Sequence, residues 1–154
     1  MRNGGQLLVQ SLIGLGATKA FGVPGESYLA VLDALHDSRG RLDYVLCRHE
    51  GGAAFMAAAW GKLTGQPGLC MVTRGPGATN ASIGVHTAMQ DSSPMILFVG
   101  QVGTDMNGRE AFQELDYRAV FGTMAKWVVD VDRVERIPEL LSRAWTVALS
   151  GRPG

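Results

Sequence analysis

"VTRGPGATNASIGVHTAMQDSSPMILFVG", residues 72–100, decides the fold. It starts at the end of an apolar run, "GLCMVT" (68–73), turns through two glycines around Pro76, and enters a stretch of helical character from Ala78 to Gln90. An unbroken apolar segment, "PMILFVG" (94–100), follows and reads as a strand buried on both faces. Strand, glycine turn, helix and strand together make one crossover unit of a parallel sheet.

Reading outward from that unit, the alternation repeats. On the N-terminal side, Gln6 to Leu15 is a short amphipathic helix, and "AFGVPG" (20–25) is a strand running into a turn. Tyr28 to Asp37 is a helix with apolar positions at Leu29, Leu32 and Leu35; "LDYVLC" (42–47) is a strand, and Gly51 to Leu63 a helix. On the C-terminal side, "QVGTDMNGREAFQELD" (101–116) has the length and polarity of a functional loop. "KWVVDV" (126–131) then predicts a strand and Val134 to Ser150 a closing helix. The pattern predicts an α/β fold over residues 1–154: a parallel sheet with helices on both faces, a Rossmann-like three-layer sandwich. Ligands of such sheets bind beyond the carboxyl ends of the strands, where the loops here are rich in glycine. The turn-like "SGRPG" stands where the alternation would supply another strand, so the chain reads as part of a longer one.

Composition narrows the function. The 154 residues carry a formal net charge of zero, with 46% hydrophobic and 18% charged residues, which suits one packed domain and opposes disorder. Without a basic excess or arginines interleaved with aromatics, nothing marks a nucleic-acid surface or an anionic membrane partner. Cys47 and Cys70 lie in apolar runs without CxxC spacing and read as buried strand thiols, not metal ligands or a disulfide. "QLLVQSLIGLG" is too short to span a bilayer and carries no cleavage signal, so the expected location is the cytoplasm.

Two stretches carry chemistry. Around Gly75-Pro76-Gly77 the backbone amides can approach a ligand without intervening side chains. The dinucleotide fingerprint GxGxxG nevertheless fails at Asn80, and the phosphate loop GxxxxGK[ST] fails because Leu63 follows Gly61-Lys62. A tight strand-to-helix turn with no ligand explains the glycines equally well. In "RHEGGAAFMAAAWGK" (48–62), His49-Glu50 opens like a zinc HExxH motif but has no second histidine. Glu50 at the head of its helix complements the helix dipole, worth ~0.3 to 1 kcal/mol, and would equally suit a carboxylate aimed at a ligand. The small side chains behind it suit close helix packing at a subunit or domain interface, although alanine also simply favours helix.

In order and spacing, "FGVPGES", "RHEGGAAFMAAAWGKLTGQPG", "VTRGPGATNASIGVHTAMQDSSPMILFVGQV" and the later "AFQE" (111–114) resemble the pyrimidine-binding domain of thiamine diphosphate enzymes of the acetolactate synthase type, over essentially the whole chain. The resemblance implies an N-terminal portion of a multidomain 2-keto acid carboligase or decarboxylase, with thiamine diphosphate as cofactor. It implies that Glu50 hydrogen-bonds N1′ of the aminopyrimidine and activates the cofactor. Val23, Pro24, Thr73, Pro76, Gly77 and Asn80 would line the cofactor; Gly25, Glu26 and Phe112 would face the substrate, and Gln113 would join Glu50 as a catalytic group. The synthases usually carry Gly-Gly-Ala after the proline, so the "GES" of this chain sets a new carboxylate, Glu26, near the reacting end. His86 also differs from the uncharged residue usual there and reads as a helix-surface or packing histidine; His36 reads as a dipole partner at a helix end.

Family members bind the diphosphate through Mg2+ in a separate domain with a Gly-Asp-Gly motif, which does not occur in this sequence. The resemblance therefore implies Mg2+ held by another domain, an isolated domain that is catalytically silent, a homo-oligomer with a diphosphate-binding domain completing the site, and a small 2-keto acid substrate with no nucleic-acid or membrane partner. The competing expectation is a non-catalytic dimerisation or binding module of the same fold.

Overall fold

The computed structural model describes residues 2–154. Four strands form one all-parallel sheet: β1 (Lys19–Gly22), β2 (Asp43–Leu46), β3 (Gly68–Thr73) and β4 (Met95–Gly100), in the spatial order β2-β1-β3-β4. Six helices accompany them: α1 (Gly4–Gly14), α2 (Leu29–Asp37), α3 (Glu50–Thr64), α4 (Arg74–Asp91), α5 (Tyr117–Phe121) and α6 (Ile137–Leu149). One face of the sheet packs on α1, α2 and α6 through a core that includes Val9, Leu12, Leu35, Leu69, Met71 and Trp145. The other packs on α3 and α4 through Phe21, Ala53, Ala57, Cys70, Val72 and Ala81. This is the three-layer sandwich that the alternation predicts.

Local chemistry explains most element ends. Asn3 and Gln6 form a reciprocal capping box at the start of α1, so the helix begins two residues before Gln6. His49 caps α3, its Nδ1 accepting from the Gly51 amide at 3.0 Å, and Gly65 closes that helix with φ +68°. Both cysteines are buried and unpaired, Cys70 inside β3 and Cys47 just after β2.

The structure corrects four expectations. First, α4 begins at Arg74, four residues before Ala78, so the Gly-Pro-Gly stretch is the first turn of the helix and not a loop before it. Proline is tolerated there because first-turn amides have no partner inside the helix. Second, residues 126–131 form no strand, and a short helix, α5, precedes them. Between them and the free edge of β4 lies a cavity of about 1000 Å3, lined by Ile96 and Phe98 on one side and Val128 and Val129 on the other. Apolar alternation makes a strand only where a neighbouring ladder accepts its hydrogen bonds, and the cavity separates this segment from the available edge. Third, β4 is half-buried along its whole length instead of enclosed, because it ends the sheet beside that cavity. Fourth, the small side chains of α3 face inward: Ala53, Ala54, Ala57, Ala58 and Gly61 are buried within this chain. A Cβ added at Gly84 of α4 would land on Ala54, and one added at Gly68 of β3 on the Ala57 backbone. Besides Ala59, α3 exposes the large apolar side chains Phe55, Met56 and Leu63.

Candidate functional site

The parallel sheet delivers four loops to one edge. β1 leads to Val23-Pro24-Gly25-Glu26, β2 to Glu50, β3 to Arg74 and the first turn of α4, and β4 to the segment 101–116. Because β1 pairs with β2 on one side and β3 on the other, the strand order reverses at β1, and a crevice opens where ligands of such sheets bind.

Glu50 sits half-buried at the first position of α3, and Asn80, in the second turn of α4, donates from Nδ2 to its Oε2 at 2.9 Å. Its other oxygen, Oε1, points toward Gly77: a Cβ built there would lie 3.7 Å from Oε1 and 3.2 Å from the Val72 Cβ. The glycine thus keeps open a space in front of a carboxylate oxygen that has no hydrogen bond of its own, while the amide holds the other oxygen in place. Of the residues expected to line a cofactor, Glu50, Gly77 and Asn80 are in direct proximity.

A second set of contacts ties the β1 loop to β3. Ser27 Oγ and Thr73 Oγ1 share a hydrogen bond at 2.6 Å, and a side chain at Gly25 would overlap Thr73. Tyr28 donates to the carbonyl of Val23 and lies 3.2 Å, oxygen to oxygen, from Tyr44. Burial raises the pKa of both phenols above the ordinary value, and it pushes the Cys70 thiol up to about 12, with Cys47 and Glu50 adding smaller electrostatic contributions. The floor of the crevice under Val23 is therefore neutral and hydrogen-bonded. Pro24 and Pro76 are exposed at the rim.

The 101–116 segment folds over the start of α4. The Gly75 amide donates to the carbonyl of Gln113 at 2.9 Å, with Gln113 held at φ +64°. Glu114 folds back on its own loop and accepts from the Gly108 and Ala111 amides at 2.5 and 3.0 Å, which lowers its pKa below the ordinary carboxylate range. The contact that brings Gln113 to α4 is a backbone one. Phe112 is 73% exposed, and its ring lies 5.9 Å from the guanidinium carbon of Arg74. Arg74 also pairs with Glu26, Nη1 to Oε1 at 2.9 Å.

Every expected site residue thus lies at the carboxyl edge. His86 is exposed on α4, and His36 is exposed in the last turn of α2. Sequence reading missed Arg74, Ser27 and the Tyr28–Tyr44 pair. Arg74 carries a local signal, a charged side chain immediately before Gly-Pro-Gly at a strand end. The tyrosines carry none, because their meeting depends on β1 and β2 pairing. The large cavity beside β4 contains none of Glu50, Thr73 or Asn80 and belongs to the sheet edge. Among the described residues, no group of three or more His, Cys, Asp or Glu side chains could hold a metal ion, and no helix is long and apolar enough to cross a membrane.

Comparison with known proteins identifies the family. The profile of the family described as "Thiamine pyrophosphate enzyme, N-terminal TPP binding domain" matches residues 2–120. The chain is 44% identical to the acetolactate synthase isozyme 3 large subunit of Escherichia coli over 154 residues, covering 100% of this chain and 27% of that protein. It is 41% identical to the isozyme 2 large subunit of the same organism over 152 residues, 99% of this chain and 27% of that one. Against the mitochondrial acetolactate synthase catalytic subunit of Saccharomyces cerevisiae it is 40% identical over 151 residues, 98% and 22% of the respective chains. The chain therefore spans about a quarter of the length of these relatives.

Proposed function

The chain belongs to the family of thiamine pyrophosphate enzyme N-terminal TPP-binding domains, and from that premise we propose that its crevice holds the aminopyrimidine of thiamine diphosphate, with Glu50 as the group that activates it. The observation that carries the reading is the pair of Glu50 oxygens: one is tied to Asn80, and the other faces space left by the missing side chain of Gly77. This donor set fits a flat heterocycle. A carboxyl oxygen stands ready to share a proton with a ring nitrogen, the neighbouring side chains are small, and Val72 supplies an apolar wall.

In this reading Glu50 Oε1 shares a proton with a ring nitrogen of the pyrimidine, and Asn80 fixes the carboxylate rotamer so that the proton is held along one line. Thr73, Pro76 and Gly77 shape the space around the ring, and Val23, anchored through its carbonyl by Tyr28, closes it from β1. Gly25, Glu26, Pro24 and Phe112 face the substrate, with Gln113 beside them. When bound, thiamine diphosphate supplies a carbon nucleophile for a keto group and an electron sink as carbon dioxide leaves. In this reading Mg2+ and the diphosphate are held by residues outside this chain.

The proposed activity of the complete protein is that of a 2-keto acid carboligase or decarboxylase similar to the synthases it resembles, cytoplasmic and oligomeric. Exposed Phe55, Met56 and Leu63 on α3 and Ile83 on α4 support an oligomer, because they offer apolar surface on the two helices that carry the site. The test is Glu50→Gln in the complete protein, which keeps volume and removes the proton-accepting oxygen. Turnover is expected to fall about 100-fold or more, with the circular dichroism spectrum unchanged. Near-normal turnover with intact cofactor binding by calorimetry would sink the role of Glu50.

A further inference from the structure

Arg74 is constrained in both backbone and side chain. Its backbone takes φ +38°, in the left-handed region that non-glycine residues seldom occupy, at the first position of α4. Its side chain is only 16% exposed, against 71% for Glu26, and its Nε is buried without a hydrogen-bond partner. Strain and an orphaned donor both cost stability, so the guanidinium is held there by what it touches. It touches two different loops: Nη1 binds Glu26 of the β1 loop, and its face lies over Phe112 of the loop after β4. One cation thus adds a side-chain link between the β1 loop and the loop after β4, alongside the Gly75–Gln113 and Ser27–Thr73 bonds.

We propose that Arg74 is a positioning and specificity-determining residue that neutralises Glu26 on the substrate side of the site, so that an anionic 2-keto acid can be admitted beside a carboxylate. This rests on the cofactor reading given above. A lone carboxylate at Glu26 would repel an incoming 2-keto acid; paired at 2.9 Å with Arg74, it presents a near-neutral wall, with one carboxylate oxygen bound to the cation and the other outside that bond. Phe112 covers the face of the guanidinium, a contact that holds the cation in its geometry without adding charge.

The charge arrangement makes the two partners respond in opposite directions. In the complete, cofactor-loaded protein, Arg74→Gln leaves an unpaired negative charge, and Glu26→Gln an unpaired positive one of nearly unchanged shape. Two readouts are compared: calorimetric binding of oxalate as a non-reacting anion, and kcat/KM for pyruvate against uncharged butane-2,3-dione. Arg74→Gln is expected to weaken oxalate and raise KM for pyruvate about tenfold, Glu26→Gln to strengthen oxalate about threefold, and the double variant to return toward the parent, all with smaller effects at high salt. Butane-2,3-dione lacks the carboxylate, so its kcat/KM should change by a smaller factor than that of pyruvate in each variant. Arg74→Lys keeps the charge and should retain parental oxalate affinity, which guards against misreading a folding defect in Arg74→Gln. Losses of the same sign in both single variants, or no change in oxalate binding, would make the pair a structural link and overturn the proposal. Failure of the parent protein to bind thiamine diphosphate would overturn the cofactor reading instead, and this inference with it.

Discussion

Around β3 the chain approaches itself as closely as a backbone allows, whereas beyond β4 it leaves a cavity of about 1000 Å3. The close side is made of absences: Gly68 against Ala57, Gly84 against Ala54 and Gly61 against Pro94 bring main chains together where any side chain would collide. The loose side is made of large aliphatic groups on β4 and on residues 127–131 that face each other without a ladder between them. Glu50, Asn80 and Gly77 all stand on the close side, on α3 and α4. A site whose geometry must hold to a fraction of an ångström is thus mounted where movement is most restricted, and the loop that covers it comes from the side with more freedom.

The comparison can be broken most directly by filling an absence. Gly84→Val forces a side chain onto Ala54 and is expected to cost about 3 kcal/mol in urea unfolding, since neither helix can retreat from the sheet. Next comes truncation matched across the two sides. Val72→Ala, fully buried in β3, should cost about 2 kcal/mol, and Val128→Ala, half-buried beside an existing cavity, less than about 1 kcal/mol. Equal costs would show that the two sides are packed alike.

Titration separates the sides as well, with smaller effects. Burial raises the Cys70 thiol from its ordinary 9.0 to about 12. Its contribution to stability is therefore full below pH 9 and is lost as pH rises from there toward 12, with the raised Tyr28 and Tyr44 acting in the same direction. Cys70→Ala should flatten the alkaline limb of a stability profile measured by denaturant midpoint. Glu114 lies on the other side with a lowered pKa, so its two amide bonds are present above the ordinary carboxylate pKa and are released as pH falls through the depressed one. Protection of the Gly108 and Ala111 amides against exchange, relative to unstructured peptide at the same pH, should then fall in acid before any change at β3. Exchange along the outer edge of β4 should already exceed that of β1 and β3 at neutral pH, because no strand covers it.

The close side was the more legible of the two in the sequence. Aliphatic runs such as "GLCMVT" cannot be amphipathic, so they specify strands covered on two faces, and β3 matches that run residue for residue. Glu50 was legible because it is the lone acid at the head of an otherwise apolar helix. What escaped depends on segments distant in sequence. The alanines of α3 read as an outward face because nothing local tells that Gly68 and Gly84 will meet them. Arg74 lies 48 residues from the carboxylate it binds. "KWVVDV" has the period of a strand, yet pairing is a property of two segments, and the cavity removes the second. Gly-Pro-Gly read as a loop because both residue types usually interrupt structure, although proline in a first helical turn sacrifices no hydrogen bond.

The strand order has a consequence for the way the molecule is made. Synthesis runs from the N-terminus, and β2 can pair with β1 as soon as residue 46 is available, but the second edge of β1 waits for residues 69–71 and the last strand for residues 95–100. Each later strand joins the growing sheet at an open edge, so no earlier pairing has to be undone. Glu50 emerges well before Asn80, and the segment containing Phe112 and Gln113 arrives later still. The pair Glu50 and Asn80 is thus synthesised before the last strand and the covering loop after it, so the floor of the crevice can form with the sheet while its cover closes only once the sheet is complete.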